Sequence, residues 1–217
     1  MINNKPIFTT AEVVAKLNSM SVWQSANLTY SFSTTPPPGG FTGNEPASSL
    51  SAFTAEQRIA TDYVVQLWQD LIPVSFTKVS GAADMQLVNI NGMGQAYAYL
   101  PGGGGDTFIN VNEQSNFLLG FGGWGLSTLI HEVGHALGLE HPGNYNAGQG
   151  PDPTYRNDAQ FLQDSLQYTI MSYFGADKTG ANHQNKTGST PLLYDIAAVQ
   201  AMYGANTTTR TGDTVYG

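Results

Sequence analysis

Apolar residues recur along this chain at two spacings, and the switch from one to the other lays out its elements. Behind Thr9-Thr10-Ala11-Glu12, a capping-box pattern, Val13, Val14 and Leu17 fall one turn apart and predict a short helix. Leu28, Tyr30 and Phe32 then alternate with Thr29, Ser31 and Ser33, the period of a half-buried strand, and the PPPGG run at 36–40 ends it as a loop. Thr54-Ala55-Glu56-Gln57 repeats the capping box. Behind it Ile59, Ala60, Tyr63, Val64, Leu67, Trp68 and Leu71 make one apolar helical face until Pro73 stops it. Short strand-like runs follow at 74–79, 85–90, 95–100 and 107–111, most of them divided by Gly or Asn, which predicts a sheet of short strands. A further helix over about 126–139 sets Leu126, Leu129, Ile130, Val133 and Leu137 on a narrow stripe, with His131 and His135 on the opposite side. From 143 to 191 the patterning fades into Asn, Gly, Gln, Thr and Asp, an irregular segment held in place. Pro191 opens a last helix with Leu192, Leu193, Ile196, Val199 and Tyr203 on one face and Gly204 past its end.

Length and composition change this picture little. A chain of 217 residues makes one large domain or two small lobes, and no apolar run reaches membrane length. Sixteen acids against eight bases, net charge -8, argue against a nucleic-acid partner, which needs a basic face. With no cysteine, a disulfide scaffold and a thiol nucleophile are both excluded, and any transition-metal site must use His, Asp, Glu or Tyr. The opening MINNKPIFTTAEVV lacks a basic stretch followed by an apolar segment, so no signal peptide is expected there. Two glycine-rich stretches, PGGGGDTF at 101–108 and GFGGWG at 120–125, lack the spacing and following residues of a phosphate loop and read as turns beside a cleft.

The chemistry concentrates in HEVGHALGLEH at 131–141, which holds three of the four histidines. His131 and His135 stand one turn apart on the helix, and Gly138 falls where the helix should end, so that a left-handed turn can swing His141 back toward them. His-Glu-x-x-His extended by Gly and a third His is a zinc pattern. Three imidazoles leave a tetrahedral zinc one open position, the mark of a catalytic rather than a structural site. Glu132 beside the first ligand is then the natural general base. The fourth histidine, His183 in ANHQNKTG, reads as part of a polar loop.

HEVGHALGLEHPG followed about thirty residues later by TIMSYF resembles the metzincin metalloproteases, and within them the serralysin family. NYNAGQGPDPTYR, PLLYDIAAVQAMYGAN and TRTGDTVYG carry the likeness further. It implies an α+β zincin fold in two lobes: a twisted mixed sheet with the active-site helix, and an irregular C-terminal lobe, with substrate lying in the cleft between. It also implies that Met171 lies beneath the metal and that Tyr173 serves as a further ligand that can swing away to hydrogen-bond an oxyanion. An edge strand above the cleft, here Gln95, Ala96, Tyr97, Ala98 and Tyr99, would pair with the substrate backbone.

Residues 1–204 therefore read as a zinc endopeptidase domain acting on extended polypeptides, and 205–217 as the truncated start of a β-roll-like region. In the resembling family that region binds calcium, for which Arg210, Gly212 and Thr214 would offer a partial site, and the tail is expected to be mobile unless something docks it. The likeness further implies secretion to the extracellular space and a proteinaceous inhibitor as a second kind of partner; a monomer is expected, and the charge balance and lack of a long apolar run leave no nucleic-acid or membrane partner in view. Two rivals stand beside this reading: a binding module that keeps its metal as a structural pin, and a narrow hydrolase acting on one small substrate.

Overall fold

The computed structural model describes residues 4–213 except 38, 39, 42, 44, 93 and 148–150, so part of the 36–40 loop and Thr214 lie outside the described residues. The elements run α1 (Thr10–Leu17), β1 (Asn27–Ser31), β2 (Leu50–Ser51), α2 (Ala55–Leu71), β3 (Ser75–Lys78), β4 (Met85–Ile90), β5 (Ala96–Ala98), β6 (Thr107–Asn110), α3 (Trp124–Ala136), α4 (Tyr155–Asp158) and α5 (Leu193–Tyr203). Both capping boxes form. The Thr9 N–H donates to Glu12 Oε2 at 2.7 Å and the Glu12 N–H donates to Thr9 Oγ1 at 3.3 Å, and Thr54 and Gln57 repeat the exchange. Every strand-like run of the sequence becomes a strand: β4 keeps its full expected span, β3, β5 and β6 are shorter than their runs, and Phe32 falls just outside β1. The addition is β2, whose two residues are too few to show a period.

The sheet has the order β3-β1-β4-β6-β5, with β2 paired to β4. All pairs are parallel except β5 with β6 and β2 with β4. The mixed sheet with helices on it is the α+β architecture expected. In the middle, β4 is buried at all six positions, and its polar side chains find partners, Asn89 through both ends of its amide and Gln86 through its nitrogen alone. Gln86 Nε2 donates to the carbonyls of Ser33 and Thr35, and Asn89 exchanges amide hydrogen bonds with Gln57 of α2. The main core lies between the inner face of the sheet, α2, α3 and α5 (Leu28, Val64, Trp68, Leu87, Ile109, Val133, Val199). A smaller cluster of Phe41, Val88, Ile90 and Phe108 covers the other face.

Two helices are rotated from the faces that hydrophobicity predicts. Ile59 of α2 is 70 % exposed, while Gln57, Thr61 and Val65 are buried. The Gln57–Asn89 amide pair points that side of α2 at the sheet, and two residues on, about 200° around the helix, Ile59 faces out. In α5, Leu193 is 62 % exposed, because Asp195 two positions later is fully enclosed by hydrogen-bond partners. A third difference concerns α3, which has no solvated face: Glu132 to Ala136 are all buried along with the apolar stripe.

The described part of the tail, 205–213, does not lie free. The Asn206 N–H donates to the Leu71 carbonyl and Asn206 Nδ2 to that of Gln69, satisfying acceptors at the C-terminal end of α2. Asp70 Oδ1 accepts from Thr209, and both Nε and Nη2 of Arg210 donate to Asp70 Oδ2 at 2.9 and 2.6 Å. Among the described residues, no helix is long and apolar enough to cross a membrane.

Candidate metal centre

α3 runs through the core and delivers His131, Glu132 and His135 to one place. Its close approach to the chain beneath depends on Gly134, where a Cβ would stand 2.9 Å from Met171 Sδ. The helix ends at Ala136, a turn earlier than the sequence pattern suggested. Gly138 follows at φ 99°, with its N–H on the His135 carbonyl and the Leu139 N–H on that of Gly134. A Cβ on Gly138 would run into the Ser21 carbonyl oxygen and the Met202 methyl, so glycine is needed there for space as well as for backbone angle. The Glu140 N–H then donates to the Leu17 carbonyl of α1, and the chain returns His141 to face His131 and His135.

Each imidazole is held from behind. Nδ1 of His131 meets the Ile170 carbonyl at 2.9 Å, Nδ1 of His135 that of Leu139 at 2.7 Å, and Nδ1 of His141 that of Tyr145 at 2.9 Å. A carbonyl oxygen can only accept, so all three Nδ1 atoms carry the proton and all three Nε2 atoms present bare lone pairs. Those lone pairs converge: His141 Nε2 lies 3.2 Å from that of His131 and 3.1 Å from that of His135. Three acceptors at such distances repel unless a cation sits among them. Ligand nitrogens on a tetrahedral zinc with bonds of about 2.0–2.1 Å stand about 3.3 Å apart, so the donor set fits that ion. Loss of hydration holds all three rings neutral. His131 is lowered to about 3 by desolvation and then by His141, and His141 to about 4 by desolvation; His135 falls well below the ordinary range from burial and its two neighbours. This is the group among the described residues that could hold a metal ion.

Two of the three residues whose carbonyls orient the rings, Ile170 and Tyr145, are themselves anchored by buried aspartates. Asp195 accepts from Thr169 Oγ1 at 2.5 Å, from the Ile170 N–H at 2.8 Å and from the Leu192 N–H at 2.7 Å, tying the turn under His131 to the start of α5. Asp164 Oδ1 accepts from the Tyr145 hydroxyl and from Ser172 Oγ, tying the residue behind His141 to the same turn. The sequence reading passed over both. The signal available for Asp195 was an acid in the first turn of an otherwise apolar helix, and Asp164, in an unpatterned segment, had none.

Of the other expected residues, Met171 is fully buried against Gly134. Tyr173 lies over the triad, its ring 4.5 Å from that of His141, and its hydroxyl accepts from the Ala147 N–H at 3.4 Å. Glu132 is buried, with Oε2 enclosed and without a partner among the described residues, and desolvation pushes its carboxyl up to about 8. β5 is the antiparallel edge of the sheet and packs beside α3. The structure brings His131, Glu132, His135, His141, Met171 and Tyr173 together. It leaves His183 exposed in its loop and sets Arg210 against Asp70 in the last turn of α2, while Gly212 lies exposed in the tail; neither joins the triad. The glycine-rich stretches are turns, one entering β6 and the other α3.

Comparison with known proteins agrees with this geometry. Residues 22–163 match the matrixin peptidase family, a span that includes all three histidines and stops short of Met171 and Tyr173. The chain is similar over its full length to serralysin C of Dickeya chrysanthemi, at 40 % identity across 48 % of that protein. It is 37 % identical to metalloprotease AprA of Pseudomonas entomophila, also across 48 % of it, and 89 % of the chain is 39 % identical to serralysin of a Photorhabdus strain, across 42 % of that protein. The chain thus spans about half the length of the curated relatives it matches. With a family match that takes in the histidine motif, and serralysins similar along the whole chain, this protein belongs to the matrixin peptidase family as a serralysin-type metzincin domain.

Proposed function

We propose that this domain is a zinc-dependent endopeptidase that cleaves extended polypeptides, with His131, His135 and His141 holding the ion. The observation that carries the reading is the convergence of three unprotonated Nε2 atoms, each fixed by a carbonyl behind it. A zinc ion held by these three nitrogens would supply a Lewis acid, able to polarise a peptide carbonyl and to lower the pKa of bound water. The positive charge of a bound ion would favour the ionised form that burial alone disfavours, and Glu132, whose buried carboxylate has an oxygen without a partner among the described residues, would then take a proton from the attacking water and pass it to the leaving amine. The Tyr173 phenol, whose ring lies beside that of His141, would serve as a further ligand of the ion and, turned away from it, would donate a hydrogen bond to the developing oxyanion. Met171 forms the apolar floor. Gln95 to Tyr99 bind substrate as an added strand, and this favours extended chains with little side-chain preference.

Residues 1–204 form the catalytic unit, and 205–217 begin a β-roll-like region. Backbone oxygens around Arg210, Gly212 and Thr214 would offer calcium only part of the six to eight oxygens it takes. The likeness to serralysins supports a secreted, extracellular protease with polypeptide substrates and a protein inhibitor as partner; we take it as a monomer without nucleic-acid or membrane partners.

Casein cleavage with and without a chelator, alongside metal analysis, tests the reading. Activity should vanish on chelation and return with zinc. Glu132→Ala should retain the metal yet lose about 10²–10⁴-fold of the rate. Unchanged cleavage in that variant, or a parent protein that cleaves nothing with zinc bound, refutes the proposal.

A further inference from the structure

We propose that Glu45 is a positioning residue for the substrate strand: its carboxylate clamps the two phenols of β5 from behind and so holds the strand's outer backbone edge in register for an extended peptide. The inference rests on the reading of β5 as the strand that pairs with substrate.

β5 has three residues and one neighbour, β6. The backbone of the flanking positions turns toward that neighbour: the Tyr99 N–H donates to the Asp106 carbonyl at 2.9 Å, and the Asn110 N–H donates to the Gln95 carbonyl at 3.2 Å. Alternation along an antiparallel strand then directs the N–H and C=O groups of Ala96 and Ala98 away from β6, to the free edge. A strand so short, held on one side only, is prone to fray.

What steadies it lies on the face of the sheet opposite α3. The Tyr97 ring stacks on Phe108 with centroids 4.9 Å apart, and Phe41 meets the same ring at 5.3 Å. The Tyr97 and Tyr99 hydroxyls both donate to one atom, Glu45 Oε1, at 3.1 and 2.9 Å. A single carboxylate oxygen thus spans two positions two residues apart, and fixes the strand's twist and reach. Burial, followed by Glu45 itself, raises both phenols, Tyr99 to about 12, so both remain donors at neutral pH. Glu45 comes from the connection between β1 and β2 and has no part in the histidine cluster. Its influence on substrate must therefore pass through β5.

The test compares Glu45→Ala, Glu45→Gln and the double variant Tyr97→Phe/Tyr99→Phe with the parent, using two assays. In the zinc-loaded protein, Glu45→Ala and the double Phe variant should raise KM about tenfold for an extended peptide of about eight residues, with kcat within about twofold. A short blocked substrate that does not reach along β5 should be unaffected. Glu45→Gln keeps an oxygen that accepts both phenols and should restore the parent KM. In the metal-free protein, hydrogen exchange at the Tyr97 and Tyr99 amides should quicken in Glu45→Ala and the double variant and return to the parent rate in Glu45→Gln. The proposal is overturned if exchange at these amides is unchanged, if kcat falls while KM holds, if short and long substrates suffer alike, or if Gln behaves as Ala does. Should the parent cleave no peptide, the peptidase reading fails by itself, and the exchange measurement still decides whether Glu45 clamps the strand. The double Phe variant keeps both rings and their packing, so it tests the clamp even if Glu45→Ala does not fold.

Discussion

Replacing Asp195 with alanine should cost more than any surface substitution and should weaken metal binding at a distance. The carboxylate is fully buried and accepts three hydrogen bonds: from Thr169 Oγ1, the Ile170 N–H and the Leu192 N–H. Alanine leaves all three donors inside the protein, and at about 1 kcal/mol each, with water relieving part of the cost, the loss is about 3 kcal/mol. For a domain of this size that is a fall of about 6–12 °C in Tm. Ile170 also supplies the carbonyl on which His131 Nδ1 rests, and disturbing such an outer partner typically weakens metal binding by about 10–100-fold. Asparagine separates shape from charge. Its oxygen can take the Oδ2 position and serve both N–H groups, while the Thr169 hydroxyl turns to accept, so Asp195→Asn should recover all but about 1 kcal/mol. The two variants also differ in pH response. Burial, partly offset by its hydrogen bonds, raises the Asp195 carboxyl to about 6. A folded value above the unfolded one contributes stability at acid pH that is lost as pH rises from about 4 through about 6, so the Asn variant should gain on the parent across that window. Thermal unfolding at pH 4, 5, 6 and 7.5, with a zinc titration at neutral pH, measures all three effects. An Ala variant as stable as the parent, or an Asn variant as damaged as the Ala one, would refute the reasoning.

Gly138→Ala should destabilise the domain by about 2 kcal/mol or more, since a residue with a Cβ is strained at this φ and meets the Ser21 carbonyl; a melting curve checks it. His141→Ala should release metal readily on dialysis while His183→Ala retains it like the parent, read by metal analysis, because only the first lies in the triad. Deleting 206–217 should lower stability by about 1–2 kcal/mol by uncovering the carbonyls at the end of α2, whereas Arg210→Ala alone should cost under about 1 kcal/mol, its ion pair being half-exposed. Burial raises Asp70, but its hydrogen bonds from Arg210, Gln66 and Thr209 outweigh that and hold it below the ordinary range. The Arg210 contribution should therefore be present above about pH 4 and fade below it, as unfolding scans at pH 3 and 6 would register.

Much of this protein was legible without coordinates, because the signals are local. A capping box is read within four residues, and both helices that begin with one start where the sequence says. The His-Glu-x-x-His spacing sets two imidazoles one turn apart in any helix, and a glycine three residues after the second permits the turn that returns the third. Strand positions followed from runs of a few residues, although β2 was too short to carry a period.

What the tertiary structure alone decided is the setting of these pieces. Hydrophobicity put Ile59 and Leu193 inward, but a helix turns to satisfy its costliest buried group. The amide pair of Gln57 with Asn89, and the three bonds of Asp195, outweigh the burial of one aliphatic side chain. The same reason explains why Asp164 and Asp195 passed unnoticed behind the histidines. An aspartate in a linear sequence favours water, and its use as a buried anchor depends on donors that Tyr145, Ser172, Thr169, Ile170 and Leu192 bring to it only when the chain is folded. Which histidines meet was thus a property of sequence spacing, whereas the tautomer and aim of each ring came from carbonyls that folding alone puts behind them.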